Sequence, residues 1–235
     1  MMTKFKTLLL TISLAAISFT ACKNEKSKEV TKAKENTETN SKTNKKEVLH
    51  KNETTVILNA NLATEKDFKA AGISQDIIAK LIEKRPFLTM NDFDALLGPE
   101  IDKPNLYKKI FVPFNLNTTA ESDFKMIPGV GNKMAHEFEE YRPYISIEQF
   151  RREIGKYVDD KEVARYENYV FVPIELNTAS EKAIKALPGV GNRMAHEFEE
   201  YRPYNNMVQF RKEIGKYVDD KELARLERLV YLKEK

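Results

Sequence analysis

The chain has 235 residues, of which 41% are hydrophobic and 32% are charged, a composition typical of a soluble protein with a modest core. The single cysteine excludes an intrachain disulfide and a cysteine-based zinc site. The formal net charge of +3 includes two N-terminal segments that do not belong to the predicted fold.

Residues 1–21 are predicted to be a lipoprotein signal peptide. Two lysines precede an apolar run over 8–21, which is too short to span a bilayer comfortably. The following sequence, Phe19-Thr20-Ala21-Cys22, resembles the lipobox of bacterial lipoproteins. In such proteins the signal is cleaved before the cysteine, which is then lipidated. The resemblance implies lipidation of Cys22 and a lipid-anchored location in the cell envelope, on the periplasmic or the surface face. The alternatives are an ordinary signal peptide with a chance cysteine, or an uncleaved anchor.

Residues 22–52 are predicted to be a disordered, charged tether. This segment contains nine Lys, five Glu and almost no large apolar side chain, so it cannot bury enough surface to fold. Without the tether and the two signal-peptide lysines, 28 basic and 31 acidic residues remain of the 39 and 36 in the whole chain. The part predicted to fold therefore carries a net charge of about −3 by this count.

The remainder of the chain is repetitive. Pro128–Tyr144 reads PGVGNKMAHEFEEYRPY and recurs 60 residues later at Pro188–Tyr204, with Lys133 replaced by Arg193 as the one difference. A weaker copy precedes them, in which Ala71-Gly72-Ile73-Ser74 occupies the place of Pro-Gly-Val-Gly. These offsets predict a degenerate unit at 53–112 and two closely similar units at 113–172 and 173–235.

Each unit is predicted to be helical. Thr118 and Thr178, each three residues before a Glu, are predicted capping boxes that open a short helix. In the third unit we expect a second helix over 192–201 and a third over 207–217, with Val208, Phe210 and Ile214 facing inward. Asp219 is predicted to cap a fourth helix. Residues 169–172 and 230–232 are at most short extended pieces, so the predicted fold class is all-α.

The Pro-Gly-Val-Gly turn directly precedes a helix. Glycine allows the backbone amides at the start of that helix to approach an anion, and the helix macrodipole favours negative charge there. A phosphate is the natural ligand for such a turn, whereas the alternative interpretation is simply a tight connection between two helices. Lys133 and Arg193 lie in the first helical turn, where a cation is locally unfavourable unless it meets an anion or pairs with Glu137 or Glu197.

The third unit resembles a known domain family. Its sequence runs from Leu176-Asn177-Thr178-Ala179-Ser180 to Ala186-Leu187-Pro188-Gly189-Val190-Gly191, and is followed by an Ala, a Tyr-Arg and a further helical pair. This pattern resembles the tandem helix-hairpin-helix domain of the ComEA-like competence DNA receptors over nearly all of 113–235. The resemblance implies sequence-independent binding of DNA phosphates. The implied phosphate-binding groups are the amides of Gly129, Val130 and Gly131 with Lys133, and of Gly189, Val190 and Gly191 with Arg193.

Several features favour a different function. The second hairpin of each unit lacks the second glycine and places two acids at the helix start, and the first unit has Asp76 where the others have Lys133 and Arg193. An acidic domain binds DNA poorly unless its basic residues form one face. Arg142, Arg151, Arg152, Lys156, Arg202, Arg211, Lys212 and Lys216 are candidates for such a face. The alternative is a helical scaffold that has lost DNA binding and holds a protein partner in the envelope.

No catalytic site is predicted. His136 and His196 each precede a Glu but lack the second histidine of a metalloprotease helix, so they are expected to be partly exposed helical residues. The Asp159-Asp160 and Asp219-Asp220 pairs are interpreted as helix caps rather than as acid–base pairs. We therefore expect a non-enzymatic protein without a metal or cofactor.

Overall fold

A computed structural model describes residues 56–233 of the chain. The predicted signal peptide, Cys22 and the predicted tether all lie outside the described residues. Within 56–233, no helix combines the length and the apolar character that crossing a membrane requires.

Short helices dominate the described part of the chain, which confirms the predicted all-α class. They are α1 (Glu65–Ala70), α2 (Gln75–Lys84), α3 (Met90–Asp94), α4 (Lys103–Tyr107), α5 (Glu121–Phe124), α6 (Asn132–Glu140), α7 (Ile147–Ile154), α8 (Asp160–Tyr166), α9 (Glu181–Lys185), α10 (Asn192–Glu200), α11 (Met207–Ile214) and α12 (Asp220–Glu227).

Three small parallel strand pairs accompany the helices. They consist of β1 (Leu58–Asn59) with β2 (Ile110–Phe111), β3 (Phe114–Asn115) with β4 (Val170–Phe171), and β5 (Ile174–Glu175) with β6 (Val230–Tyr231). Each pair joins a strand near the start of one predicted unit to a strand near its end. The sequence indicated extended pieces at β4 and β6 alone, because two-residue strands carry too little periodicity to be recognised.

An asparagine makes the same two hydrogen bonds in each of the three predicted units, which we call the first, second and third segments. The Asn177 amide donates to the Tyr204 carbonyl at 2.9 Å, and its carbonyl oxygen accepts from the Tyr204 backbone N–H at 2.7 Å. Asn117 makes the same two bonds with Tyr144, and Asn61 makes them with Phe87. This side chain therefore ties the beginning of each segment to the chain that follows its second helix.

The arginine before the proline of each Arg-Pro pair is also structural. The Arg202 Nη2 donates to the Ala179 carbonyl at 2.8 Å, and Arg142 and Arg85 donate to the carbonyls of Thr119 and Ala63. Burial lowers the pKa of the Arg142 guanidinium below its ordinary value. Arg142 and Arg202 were candidates for a basic binding face, but their guanidinium groups are hydrogen bonded to backbone carbonyls within the fold.

Four local predictions are corrected. Helix α9 begins two residues after the expected capping box, with Ser180 as its N-cap, because the Thr178 hydroxyl donates to Glu175 instead. Helix α5 likewise begins after Ala120, which supplies no side-chain cap. Helix α11 ends at Ile214 rather than at 217, and Val208 on it is 68% exposed.

Two hydrophobic clusters form the core. The larger runs from Ala60 to Val172 and contains a series of edge-to-face aromatic contacts, in which Phe124 and Phe138 have ring centroids 5.3 Å apart. The smaller cluster belongs to the third segment, from Phe171 to Val230, and includes Phe198 and Phe210. The first two segments therefore share one core, while the third has a core of its own.

Candidate functional site

Each Pro-Gly-Val-Gly sequence forms the tight turn that was predicted. Gly129 and Gly189 have φ angles of +85° and +72°, and residues with a Cβ rarely adopt this backbone conformation. Gly72 takes the same conformation in the first segment, with φ of +91°. The degenerate turn of the first segment therefore keeps the backbone conformation although its sequence differs.

An arginine on α12 holds the Pro-Gly-Val-Gly hairpin of the third segment, which we call the third hairpin. Arg225 is 5% exposed, its Nη1 donates to the Pro188 carbonyl at 2.6 Å, and its Nε donates to Glu222 at 2.8 Å. Arg165 lies in the equivalent place, 3.2 Å from where a Cβ on Gly129 would be. Neither arginine was predicted from the sequence, in which the one signal is an acid three residues before each.

The second glycine of each turn is the N-cap of the next helix. Gly131 and Gly191 have ordinary extended backbone angles, and a Cβ at either position would meet no described atom within 4 Å. No side chain caps α6 or α10. Packing among the described residues therefore does not require glycine here. A ligand that approaches the backbone closely would require it.

The amides at the start of α6 and α10 are the groups that are free to bind an anion. Among the described residues, no acceptor bonds the backbone N–H of Gly131, Asn132, Gly191 or Asn192. Each helix has nine residues, so its dipole places partial positive charge at these amides.

The valine amides do not belong to this group. The Val130 N–H donates to the Ile127 carbonyl at 3.0 Å, and the Val190 N–H donates to the Leu187 carbonyl at 3.1 Å. These bonds close the hairpin turn, and the valine side chains are buried beneath it. The prediction that Val130 and Val190 donate to a phosphate was therefore wrong, because their amides are already used.

Lys133 and Arg193 are exposed in the first turn of α6 and α10. Among the salt bridges of residues 56–233, neither has a carboxylate partner within 4.0 Å, so the alternative of pairing with Glu137 or Glu197 is not realised. Each lies instead over a tyrosine ring, with Lys133 Nζ 5.8 Å from the Tyr157 centroid and Arg193 Cζ 5.9 Å from the Tyr217 centroid.

A pair of tyrosines completes each site. The Tyr141 and Tyr157 hydroxyl oxygens lie 2.7 Å apart, as do those of Tyr201 and Tyr217. The hydrogen bond with Tyr141, reinforced by Glu137, raises the pKa of Tyr157 above its ordinary value. These pairs were not predicted from the sequence, although two tyrosines 16 residues apart recur in the second and third units.

Most other basic candidates are paired with acids. Arg151 Nε lies 2.6 Å from a Glu167 carboxylate oxygen, and Arg152, Lys156, Arg211 and Lys216 also contact glutamates. The aspartates at the start of α8 and α12 are caps as predicted, since Asp159 and Asp219 accept from backbone amides at 2.8 Å. The expected basic face is therefore largely neutralised by its own neighbours.

The two histidines are exposed helical residues, as expected. His136 Nδ1 lies 3.4 Å from a Glu121 oxygen, and His196 Nε2 lies 3.4 Å from a Glu200 oxygen. Over residues 56–233, no three His, Cys, Asp or Glu side chains are grouped closely enough to hold a metal ion.

Comparison with known families identifies the last segment. Residues 170–230 match the family model described as helix-hairpin-helix motif. This range is a helix-hairpin-helix domain. It contains the third hairpin, α10, α11 and the Arg225 brace. No curated protein and no solved structure is detectably similar to the chain.

Proposed function

We propose that this chain is an envelope-anchored, non-enzymatic lipoprotein that binds the DNA backbone weakly and without sequence specificity. The proposed phosphate contacts are the amides at the start of α6 and α10, together with Lys133 and Arg193. In this role the protein resembles the ComEA-like competence DNA receptors. A helix-hairpin-helix domain is commonly a nucleic-acid-binding element, and the match at 170–230 supports that general class of partner.

One observation carries the proposal: free helix-start amides and an unpaired cation occur side by side at two hairpins. A phosphate oxygen accepts hydrogen bonds from such amides and gains from the helix dipole. The adjacent Lys or Arg adds a charge-assisted contact. Phosphate contacts carry no base information, which is why we propose binding without sequence specificity.

The same geometry supports weak rather than strong binding. Arg151 and Arg211 are held by glutamates, and an arginine paired in this way contributes little to neutralising phosphates. In the first segment Asp76 occupies the position equivalent to Lys133 and would repel a phosphate. We therefore assign DNA binding to the second and third segments alone.

The proposed lipid anchor is tested separately from DNA binding. We expect the wild-type protein to partition with membranes and a Cys22→Ser variant to appear in the soluble fraction. Metabolic labelling with a fatty acid should mark the wild type and not the variant. A labelled Cys22→Ser variant would contradict lipidation at this cysteine.

DNA binding is tested by fluorescence anisotropy of the full-length chain with a short labelled duplex at several salt concentrations. We expect Lys133→Glu/Arg193→Glu to weaken binding by roughly tenfold or more at low salt, with a shallower salt dependence. The matched control is Arg152→Glu/Lys212→Glu, which makes the same charge change at two other repeated, exposed positions. We expect the control to have a clearly smaller effect.

A second candidate function remains if the wild type binds no DNA, single-stranded or duplex, even at low salt. That result would contradict the DNA proposal and favour a helical scaffold for a protein partner in the envelope. Two observations favour this candidate. Surface arginines are paired with glutamates, and Ile145 and Val208 are 76% and 68% exposed.

A further inference from the structure

A cluster of alternating cations and aromatic rings lies beside the Pro-Gly-Val-Gly hairpin of the second segment. Lys133 lies over Tyr157, the hydroxyls of Tyr157 and Tyr141 are hydrogen bonded, and Lys156 Nζ lies 4.8 Å from the Tyr141 centroid. Lys133 lies in the first turn of α6 and Tyr141 directly follows that helix, while Lys156 and Tyr157 belong to the turn between α7 and α8. Helix α6 and the turn between α7 and α8 therefore contribute to one surface.

The third segment contains the same cluster. Arg193 lies over Tyr217, the Tyr217 and Tyr201 hydroxyls lie 2.7 Å apart, and Lys216 Nζ lies 4.9 Å from the Tyr201 centroid. The tyrosine centroids are 6.3 Å apart here and 6.4 Å apart in the second segment. We refer to these two sets of four residues as the tyrosine–cation clusters.

The first segment folds without such a cluster. It keeps the Asn61 contact, the Arg85 contact, the positive-φ glycine and the parallel strand pair. At the positions equivalent to Lys133, Tyr141, Lys156 and Tyr157 it carries Asp76, Lys84, Pro99 and Glu100. The fold therefore does not require these four residues, and both tyrosines are absent from the one segment whose hairpin residue is acidic.

The exposed parts of the cluster define the ligand chemistry. Tyr157 is 38% exposed and Tyr217 is half-buried, and their hydroxyls are hydrogen bonded to Tyr141 and Tyr201, so the ring rather than the hydroxyl of each remains to meet a ligand. Lys133 beside it has no carboxylate partner, whereas Lys156 is bound to Glu153. A cation next to an accessible aromatic ring is the arrangement that binds single-stranded nucleic acid, in which phosphates meet the cation and unpaired bases stack on the ring.

We propose that the two tyrosine–cation clusters bind single-stranded DNA, with the Tyr157 and Tyr217 rings stacking on bases while Lys133 and Arg193 hold the neighbouring phosphates. This inference rests on the proposed DNA-binding function and adds a preference for unpaired bases. In a duplex the bases are already stacked on each other, so the rings gain nothing from them. Stacking also adds affinity that a surface of largely neutralised arginines does not supply.

The test compares three labelled ligands with the full-length chain by anisotropy: an oligothymidine strand, an abasic strand of equal length, and a duplex. The abasic strand keeps the sugar-phosphate backbone but has no bases. We expect the wild type to bind oligothymidine more tightly than the abasic strand by about five- to a hundredfold, the range of one stacked base. The duplex should bind about as weakly as the abasic strand.

Two double variants separate stacking from other roles of the tyrosines. Tyr157→Leu/Tyr217→Leu should abolish most of the difference between oligothymidine and the abasic strand, because it should weaken oligothymidine binding far more than abasic-strand binding. Tyr157→Phe/Tyr217→Phe keeps the rings and should retain the difference. Circular dichroism and thermal unfolding establish whether each variant is folded. If the leucine variant is not folded, the phenylalanine variant still tests the proposal.

The outcomes are distinct. Equal binding of base-bearing and abasic strands by the wild type, or loss of the difference in the phenylalanine variant, overturns the stacking proposal and leaves phosphate binding intact. Absence of binding to all three ligands overturns the proposed DNA-binding function and this proposal with it.

Discussion

Two glycines of the same hairpin serve different purposes. Gly129 has a φ of +85° and faces the Arg165 guanidinium, so the fold itself requires glycine there. Gly131 has an ordinary backbone conformation and open space where a Cβ would be. The first segment has Ser74 at the position of Gly131, as expected if that glycine serves binding rather than folding.

Alanine substitutions should separate the two purposes. Gly129→Ala should lower the free energy of unfolding by about 1–2 kcal/mol, because an L-residue resists the left-handed conformation. Gly131→Ala should change it by less than about 1 kcal/mol, while weakening duplex binding by placing a Cβ beside the free amides. Urea unfolding measures the first effect and anisotropy measures the second. Equal loss of stability in the two variants would contradict this division.

At the scale of the elements, the short helices depend on their caps. Helices α8 and α12 have seven and eight residues, which is too short to be stable in isolation. Asp159 and Asp219 accept a hydrogen bond from the third backbone amide of their helix at 2.8 Å. Helix α12 also carries Arg225, which braces the third hairpin, so the cap indirectly supports the candidate site.

The paired aspartates provide a matched test of this capping. Asp219→Ala removes the cap and should lower the free energy of unfolding by about 1 kcal/mol. Asp220→Ala removes an equal charge one residue further along, where no capping bond is made, and should have a smaller effect. Urea unfolding of both variants checks the difference. If Asp220→Ala is the more destabilising of the two, Asp219 is not the effective cap.

At the scale of the molecule, the core is unequally divided. The first two segments share a continuous cluster that includes Phe138 and Phe150, whereas the third has a separate cluster around Phe198 and Phe210. Phe150 and Phe210 occupy equivalent positions, and both are fully buried. The consequences of losing either ring should therefore be confined to different parts of the chain.

Hydrogen exchange should reveal this division. Phe210→Ala, which leaves a cavity costing about 3–5 kcal/mol, should accelerate exchange over 173–233 with little change over 56–172. Phe150→Ala should accelerate exchange over 56–172 instead. A uniform acceleration across 56–233 in both variants would show that the two clusters unfold as one cooperative unit.

Acid should destabilise the protein through its paired glutamates. The hydrogen bonds from Arg165 hold the pKa of Glu162 below its ordinary value, and those from Lys156 and Arg152 do the same for Glu153. Their contribution is complete above the unfolded pKa of about 4.3 and is lost as the pH falls through the lower folded value. Denaturant unfolding should therefore give a smaller free energy at pH 3 than at pH 6. A Glu162→Gln variant should show a shallower decline, and an unchanged decline would exclude this pair as a source.

The sequence alone determined the all-α class and the positions of most of the elements. Identical hairpins 60 residues apart, glycines before a helix and aspartates at helix starts are local signals, because turns and caps depend on neighbouring residues. For the same reason the turn at Gly189 and the helix cap at Asp219 were predicted correctly. Lys133 and Arg193 were also singled out from sequence, through their unfavourable place in the helix, although pairing with Glu137 or Glu197 was left open.

Only the tertiary structure decided which polar groups remain available to a ligand. The resemblance implied that the Val130 amide binds a phosphate, but this amide closes the turn, and Arg142, a candidate for a basic face, holds the chain that precedes α5. The Tyr141–Tyr157 pair was not found from sequence at all. A sequence shows which groups exist, but hydrogen bonds between residues far apart in the chain determine which of them are already used, and that depends on three-dimensional packing.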